Sequence, residues 1–490
     1  MVFSSYLFIF YFLPLALAVY YLLARAGNRT LNYSLIVFGY VFYGWANPKF
    51  IFLMAATTLV DWLASVIIAH GTWRLWRVWR EPVVALPCDS VRSRSQRWAI
   101  VLSIVSNLIS LGFFKYFNFG VESYNALVAA LGWPQAQWEG FFRVVLPLGI
   151  SFYTFQSLSY TIDVYRGDAK AMKHFGDFAC FVSMYPHLVA GPILQFSFLA
   201  EQIENRRLTL DKFARGVAMF SLGLGKKVIL ANACGKIADT VFDAGSAHPL
   251  DAWYGLGAYA FQIYFDFSAY SDMAIGLGLM LGFVFAKNFD SPYKSESLTD
   301  FWRRWHISLS SWLRDYLYIA LGGNRLGEIR TYINLFLVML LGGLWHGASF
   351  NFVIWGAIHG GWLAMERLTG KKSFYAALPR LLRTGITFAV VCLAWVFFRA
   401  ADLPSSMRFL GNLFGAGDSP AADLLTGLIG QPYYLISFAV AAVAVWTMPQ
   451  SWDITRRMTW PKVAWACFML IVSLVLLFAQ SYNPFIYFIF

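Results

Sequence analysis

The chain has 490 residues, of which 59% are hydrophobic and 13% charged, with a formal net charge of +12. About a quarter of an average soluble domain is charged, so a water-soluble fold is excluded and lipid has to solvate much of the surface. The basic residues lie in loops between apolar blocks, which reads as a topology signal and attraction to anionic lipid, not as nucleic-acid binding. Five scattered cysteines (Cys88, Cys180, Cys234, Cys392, Cys467) point to neither a disulfide framework nor a zinc site.

The apolar blocks run for about 16–22 residues, the length that crosses a hydrocarbon core as a helix. Alternation over about ten residues is absent, which argues against a membrane barrel. The expected fold is therefore all-α and polytopic, with about 11–13 hydrophobic helices. The first block, 6–24, lacks a basic region before it and reads as a retained span, not a removed signal peptide. Blocks 31–46 and 50–70 follow. The stretch 71–98 is rich in arginine and reads as cytoplasmic, which places the N-terminus outside. Within it, the run from Trp73 to Arg80 alternates aromatic or apolar residues with arginine. It reads as an interfacial helix on the inner leaflet or as a docking surface for an acidic partner.

Blocks near 98–119 and 144–165 come next, then a cytoplasmic loop with Arg166, Lys170 and Lys173. Blocks near 178–194, 213–232 and 253–283 precede a more polar stretch, 284–330. Residues 331–366 are apolar with a Gly-rich middle. The loop 367–384 has Arg367, Lys371, Lys372, Arg380 and Arg383 and no acid, so it is cytoplasmic as well. Spans near 385–399, 433–448 and 463–480 end the chain. The loop with Arg456, Arg457 and Lys462 leaves the C-terminus outside. No internal repeat or soluble domain interrupts this pattern.

Ionisable residues inside membrane segments are costly and are functional candidates by default. His346, preceded by Trp345, sits in a run from Leu335 to Ile358 that has no other ionisable side chain. Flanking glycines permit close approach or a broken helix that lines a cavity. An imidazole titrating near about pH 6.5 can take a proton from a hydroxyl and return it to a leaving group. A histidine bonded to a neighbouring helix is the bland alternative. On a helix, residues 302, 305, 309, 312 and 316 share one apolar face. Arg303, Arg304 and Arg314 beside it are suited to phosphates of an activated donor or to snorkelling at the interface. His306 is explained by neither. Asp266 and Asp272, inside the block 253–283, need partners such as a histidine or an arginine of the core. Gly223, Gly225, Lys226 and Lys227 lack Walker spacing, since position 220 is Phe. His346 and His359 are not at a metal-ligand spacing, so no metal is expected.

Together these residues carry a resemblance. The run from Asp266 through Pro292-Tyr293, Asp300–Ser310, Gly322–Arg325 and Leu344-Trp345-His346-Gly347 is similar to the membrane-bound O-acyltransferase family. The bacterial branch that serves alginate O-acetylation is the nearest. Upstream, Pro147–Gln156 and Tyr185–Ile193 match, as does Ala394–Ala400 downstream. Phe350 stands where Trp is common, a conservative departure. The resemblance implies a single domain over 1–490, with a core of about 95–400, peripheral spans 1–70 and 430–490, and helices ringed around a central passage. It implies His346 as the catalytic residue, acting as general base or as an acyl relay through a transient acyl-imidazole, and His306 as its second histidine. Arg303, Arg304, Trp305, Asp266 and Trp345 are the accompanying donor- and acceptor-binding candidates. It further implies no bound cofactor, acetyl-coenzyme A as cytosolic donor, and periplasmic acetyltransferase partners that deliver to an exported polysaccharide. The expected location is the bacterial inner membrane. Acetylation of peptidoglycan or cellulose, D-alanylation of teichoic acid, and a transporter or flippase with a gating histidine are the competing readings.

Overall fold

The computed structural model of the chain describes residues 1–74, 76, 80–88, 90–370, 373–416 and 421–486. Part of the helix expected between Trp73 and Arg80 therefore lies outside the described residues, as do Asp89, Lys371 and Lys372. The described residues form helices and no strand, as the block pattern predicts. Among the described residues, six helices are long and apolar enough to cross a membrane: Phe50–His70, Arg94–Ala130, Leu210–Asp243, Glu328–His346, Arg380–Arg399 and Trp460–Ala479. Leu7–Leu22 and Pro432–Thr447 are shorter apolar helices. The chain is a multi-pass membrane protein.

Several boundaries differ from the sequence pattern, each for a local reason. The apolar block near 178–194 is helical only over Phe175–Ser183. Pro186 disfavours helical geometry at Tyr185, and Gly191-Pro192 prevents resumption. The block at 98–119 belongs to a 37-residue helix, Arg94–Ala130, started by a capping box between Ser93 and Gln96. That is longer than the roughly 20 residues a bilayer core requires. The apolar stretch 331–366 divides into Glu328–His346 and Phe350–Leu368.

The chain forms two compact units. The first holds residues 1, 10–208 and 281–285. Its interior is knitted by polar side chains that find partners away from water. Asp61 accepts from Ser103 (2.6 Å) and from Asn107 at both carboxylate oxygens. Arg206 donates to Tyr20 (2.7 Å) and to Asn32 (2.6 Å), and Asn32 donates to Asp177 (2.8 Å).

The second unit holds residues 2–9, 209–280 and 286–490. Its axis is the helix Pro249–Met280, buried along almost its whole length. That is how a helix apolar all round behaves. Beside it, a π-helical turn, Lys226–Ala231, interrupts the run Leu210–Asp243. This turn supplies the partners of the two intramembrane carboxylates. Lys226 pairs with Asp272 at 2.6 Å, and Lys227 pairs with Asp266 at 3.0 Å with both side chains almost wholly buried. The partners are lysines from a failed nucleotide motif, not the histidine or arginine expected from sequence. The same pair clamps the C-terminal segment: Lys227 donates to the Pro484 carbonyl, and Asp266 accepts from the Ile486 N–H at 2.9 Å.

Removing one partner of a buried ion pair leaves the other charge uncompensated, at a cost of about 3–5 kcal/mol. Lys227→Met is thus expected to lower the apparent melting midpoint of the solubilised protein, and adding Asp266→Leu to recover most of the loss. Scanning fluorimetry reads both. A Lys227→Met midpoint equal to the parent's would remove this pair from the account of stability.

Candidate active site

His346 is the last residue of the helix Glu328–His346, and Gly347 follows in extended conformation. Ser349 then caps the next helix, its hydroxyl accepting from the Asn351 N–H. The two helices meet without intervening side chains. A Cβ on Gly343 would lie 2.2 Å from the Phe352 carbonyl oxygen, and one on Gly356 2.6 Å from that of Met339. Only glycine permits this approach. It brings Trp355 of the second helix to 5.2 Å from the His346 ring, edge to face, with Trp345 at 4.9 Å and Phe398 at 5.1 Å.

His306 arrives from the polar stretch. The single helix expected across it is broken: Leu298–Arg304 ends, His306 takes φ +43°, and Ile307–Trp312 begins. His306 and Ser291 are the two non-glycine residues with positive φ among the described residues, and such strain is tolerated where surrounding bonds over-determine it. Here the Ile307 N–H donates to the Asn288 carbonyl (2.9 Å) and the Asp290 N–H to the Arg304 carbonyl (2.9 Å). The start of Leu298–Arg304 is fixed by Glu366, a buried carboxylate that accepts from the Leu298 N–H (2.8 Å), the Thr299 N–H (2.9 Å) and the Thr299 hydroxyl (2.6 Å).

The outcome is one aromatic shell holding both histidines. The His306 ring is wholly buried, 4.6 Å from Phe267 and 6.4 Å from Trp345. Ile263, Phe267, Trp305, His346, Trp395, Phe398 and Ile486 line a narrow apolar crevice. It leaves ≈ 10 Å³ for the centre of a water molecule, room for about one water. Such a site disfavours hydrolysis of an activated donor.

The structure brings His346, His306, Trp305 and Trp345 together. It does not bring the other candidates into this shell. Arg303 is exposed, Arg304 is engaged by Asp300 at 3.0 Å, and Asp266 is held by Lys227. Arg314 pairs with Asp315. Sequence reasoning missed His359, which considered it only as a metal ligand. It is wholly buried, accepts from the Trp302 indole N–H at 3.3 Å and packs 4.6 Å from Trp355. Its place within an apolar run was the available signal. Asn288 and Glu366 carried no comparable signal. Among the described residues, no group of three or more His, Cys, Asp or Glu side chains is gathered to hold a metal ion.

Residues 168–401 match the model of the MBOAT, membrane-bound O-acyltransferase family. The chain is 44% identical, over the full length of both, to a Pseudomonas putida protein described as a probable alginate O-acetylase. It is 48% identical to the Pseudomonas aeruginosa protein so described, over 87% of this chain and 78% of that one. It is 33% identical to the peptidoglycan O-acetyltransferase of Helicobacter pylori, over 100% of this chain and 97% of the relative.

The burial pattern predicts an order of chemical modification. His346, half-buried and lining the crevice, should be carbethoxylated before His306 and His359. Peptide mass spectrometry after graded exposure to diethyl pyrocarbonate checks this. Earlier modification of His306 would contradict the arrangement.

Proposed function

This chain belongs to the membrane-bound O-acyltransferase family and is an O-acyltransferase, and on that premise we propose that it acetylates an exported polysaccharide, alginate, through the His306–His346 shell. The observation that carries the reading is that both motif histidines pack against the ring of Trp345, at 4.9 Å and 6.4 Å, with His346 lining a crevice that has room for about one water. The alginate-related proteins, which match more closely than the peptidoglycan enzyme, favour a uronate polymer as the final acceptor. The donor is acetyl-coenzyme A on the cytosolic side of the inner membrane. Both termini lie outside, and periplasmic acetyltransferase partners complete delivery.

In this mechanism His346 takes the proton of the acceptor hydroxyl as its oxygen attacks the thioester carbonyl. The C–S bond breaks, and the proton passes to the departing thiolate. Trp305, Trp345, Trp395 and Phe398 hold the reacting groups together and keep water out, so positioning supplies much of the acceleration. Arg303 and Arg304 lie outside the crevice lining and serve the donor's phosphates at its mouth. Asp266 supports the shell through Lys227 and the C-terminal segment.

The test uses full-length protein in proteoliposomes with labelled acetyl-coenzyme A outside and alginate oligosaccharide with its partner proteins inside. His346→Ala is expected to lower acetyl transfer by about 10²–10⁴-fold, the range of a lost acid–base catalyst, while insertion is unchanged. Full transfer by a correctly inserted His346→Ala protein would sink the role given to His346. Movement of donor without acyl transfer would favour the gating reading.

A further inference from the structure

Asn288 belongs to no motif that points to chemistry, yet it grips His306 and its neighbours from main chain and side chain at once. Its carbonyl accepts from the Ile307 N–H, and its Oδ1 accepts from the Ser308 N–H at 3.1 Å. A backbone N–H can only donate, so the atom it meets has to be the amide oxygen. The orientation of the Asn288 amide is therefore set by the chain itself, not by an arbitrary choice between oxygen and nitrogen.

The consequence passes to the imidazole. His306 Nδ1 lies 3.2 Å from the same Asn288 Oδ1. An amide oxygen only accepts, so the hydrogen between them belongs to Nδ1. The Ser308 hydroxyl is 2.9 Å from Asn288 Oδ1 and 3.4 Å from His306 Nδ1. Its hydrogen is better placed on the oxygen and does not compete for the ring nitrogen. The ring is fully buried among Phe267, Phe289 and Trp345. An unpaired imidazolium is costly in such surroundings, so the ring is neutral and carries one N–H. Nε2 then holds a bare lone pair, and it has no hydrogen-bond partner among the described residues.

We propose that Asn288 is a positioning residue that locks His306 in the Nδ1–H tautomer and so assigns its Nε2 as a hydrogen-bond acceptor in the transfer reaction. The proposal rests on the reading of the His306–His346 shell as the reaction centre. It goes further by dividing the work of the two histidines. His306 receives the hydrogen of a hydroxyl or thiol at Nε2 and cannot donate to the thioester carbonyl, because it has no hydrogen there. Mutation of groups that orient a functional imidazole in this way typically costs about 10–100-fold, as measured for the outer partners of metal-binding histidines.

The experiment is solid-state NMR of the full-length protein labelled with ¹⁵N-histidine, the His306 signals being identified by their loss in His306→Gln. The parent should show a protonated Nδ1 and an unprotonated Nε2. Asn288→Leu, of similar size but without an acceptor, should lose that bias, and Asn288→Asp should keep it. In parallel, Asn288→Leu should lower kcat by about 10–100-fold with KM for the donor unchanged, and Asn288→Asp should recover part of the loss. A protonated Nε2 in the parent protein overturns the proposal, as does an Asn288→Leu protein with the parent's tautomer and kcat. Full activity of His306→Gln would instead strike the underlying reaction centre. The NMR result is independent of activity, so the two failures are told apart.

Discussion

A polar group inside a bundle solvated by lipid has no water to fall back on, so leaving one without a partner in the protein is costly. This constraint governs the parts of the second unit that matter for chemistry. It pulls Asp266 onto Lys227 and Asp272 onto Lys226, which fastens the π-helical turn to the central helix. It brings Glu366 under the first turn of Leu298–Arg304, where three donors would otherwise be unpaired. It also places Asn288 beneath His306. These buried pairs are not among the residues that line the crevice. They fix the backbone from which the aromatic shell projects, and a shell built on fixed elements holds its geometry when the substrate arrives.

Within that frame the two histidines are delivered by different devices. His346 ends a regular helix, and glycine at 343 and 356 lets the returning helix close over it. His306 sits at a break between two short helices, in a conformation that a simple chain would avoid. The first depends on the absence of side chains, the second on hydrogen bonds that offset backbone strain. Both lead to the ring of Trp345.

The membrane class and the long helices are legible in the sequence because they rest on composition and block length, and His346 is singled out there as a rare residue in an apolar run. Family resemblance joined His306 to His346, which spacing alone did not. What was not legible depends on partners distant in sequence. Lys226 and Lys227 read as a failed phosphate loop, because nothing in their neighbourhood points to carboxylates some 40 residues away on another helix. Asn288 reads as an ordinary loop residue, since its meaning comes from Ser308 and His306 folding back onto it. The break at His306 was hidden by a periodicity that suits one continuous helix. The aromatic face that periodicity predicts is nonetheless buried, at Trp305, Leu309, Trp312 and Tyr316.

On the proposed reading, the acyl group is transferred within the shell that His306, Trp345 and His346 share. The most direct test is a structure of the protein with a non-hydrolysable acetyl-donor analogue bound. The carbonyl carbon is expected in the crevice beside Trp305 and Trp395, within reach of a histidine nitrogen and positioned for attack at about 3–3.5 Å. An acyl end seated against neither histidine, with the crevice still closed, would contradict it.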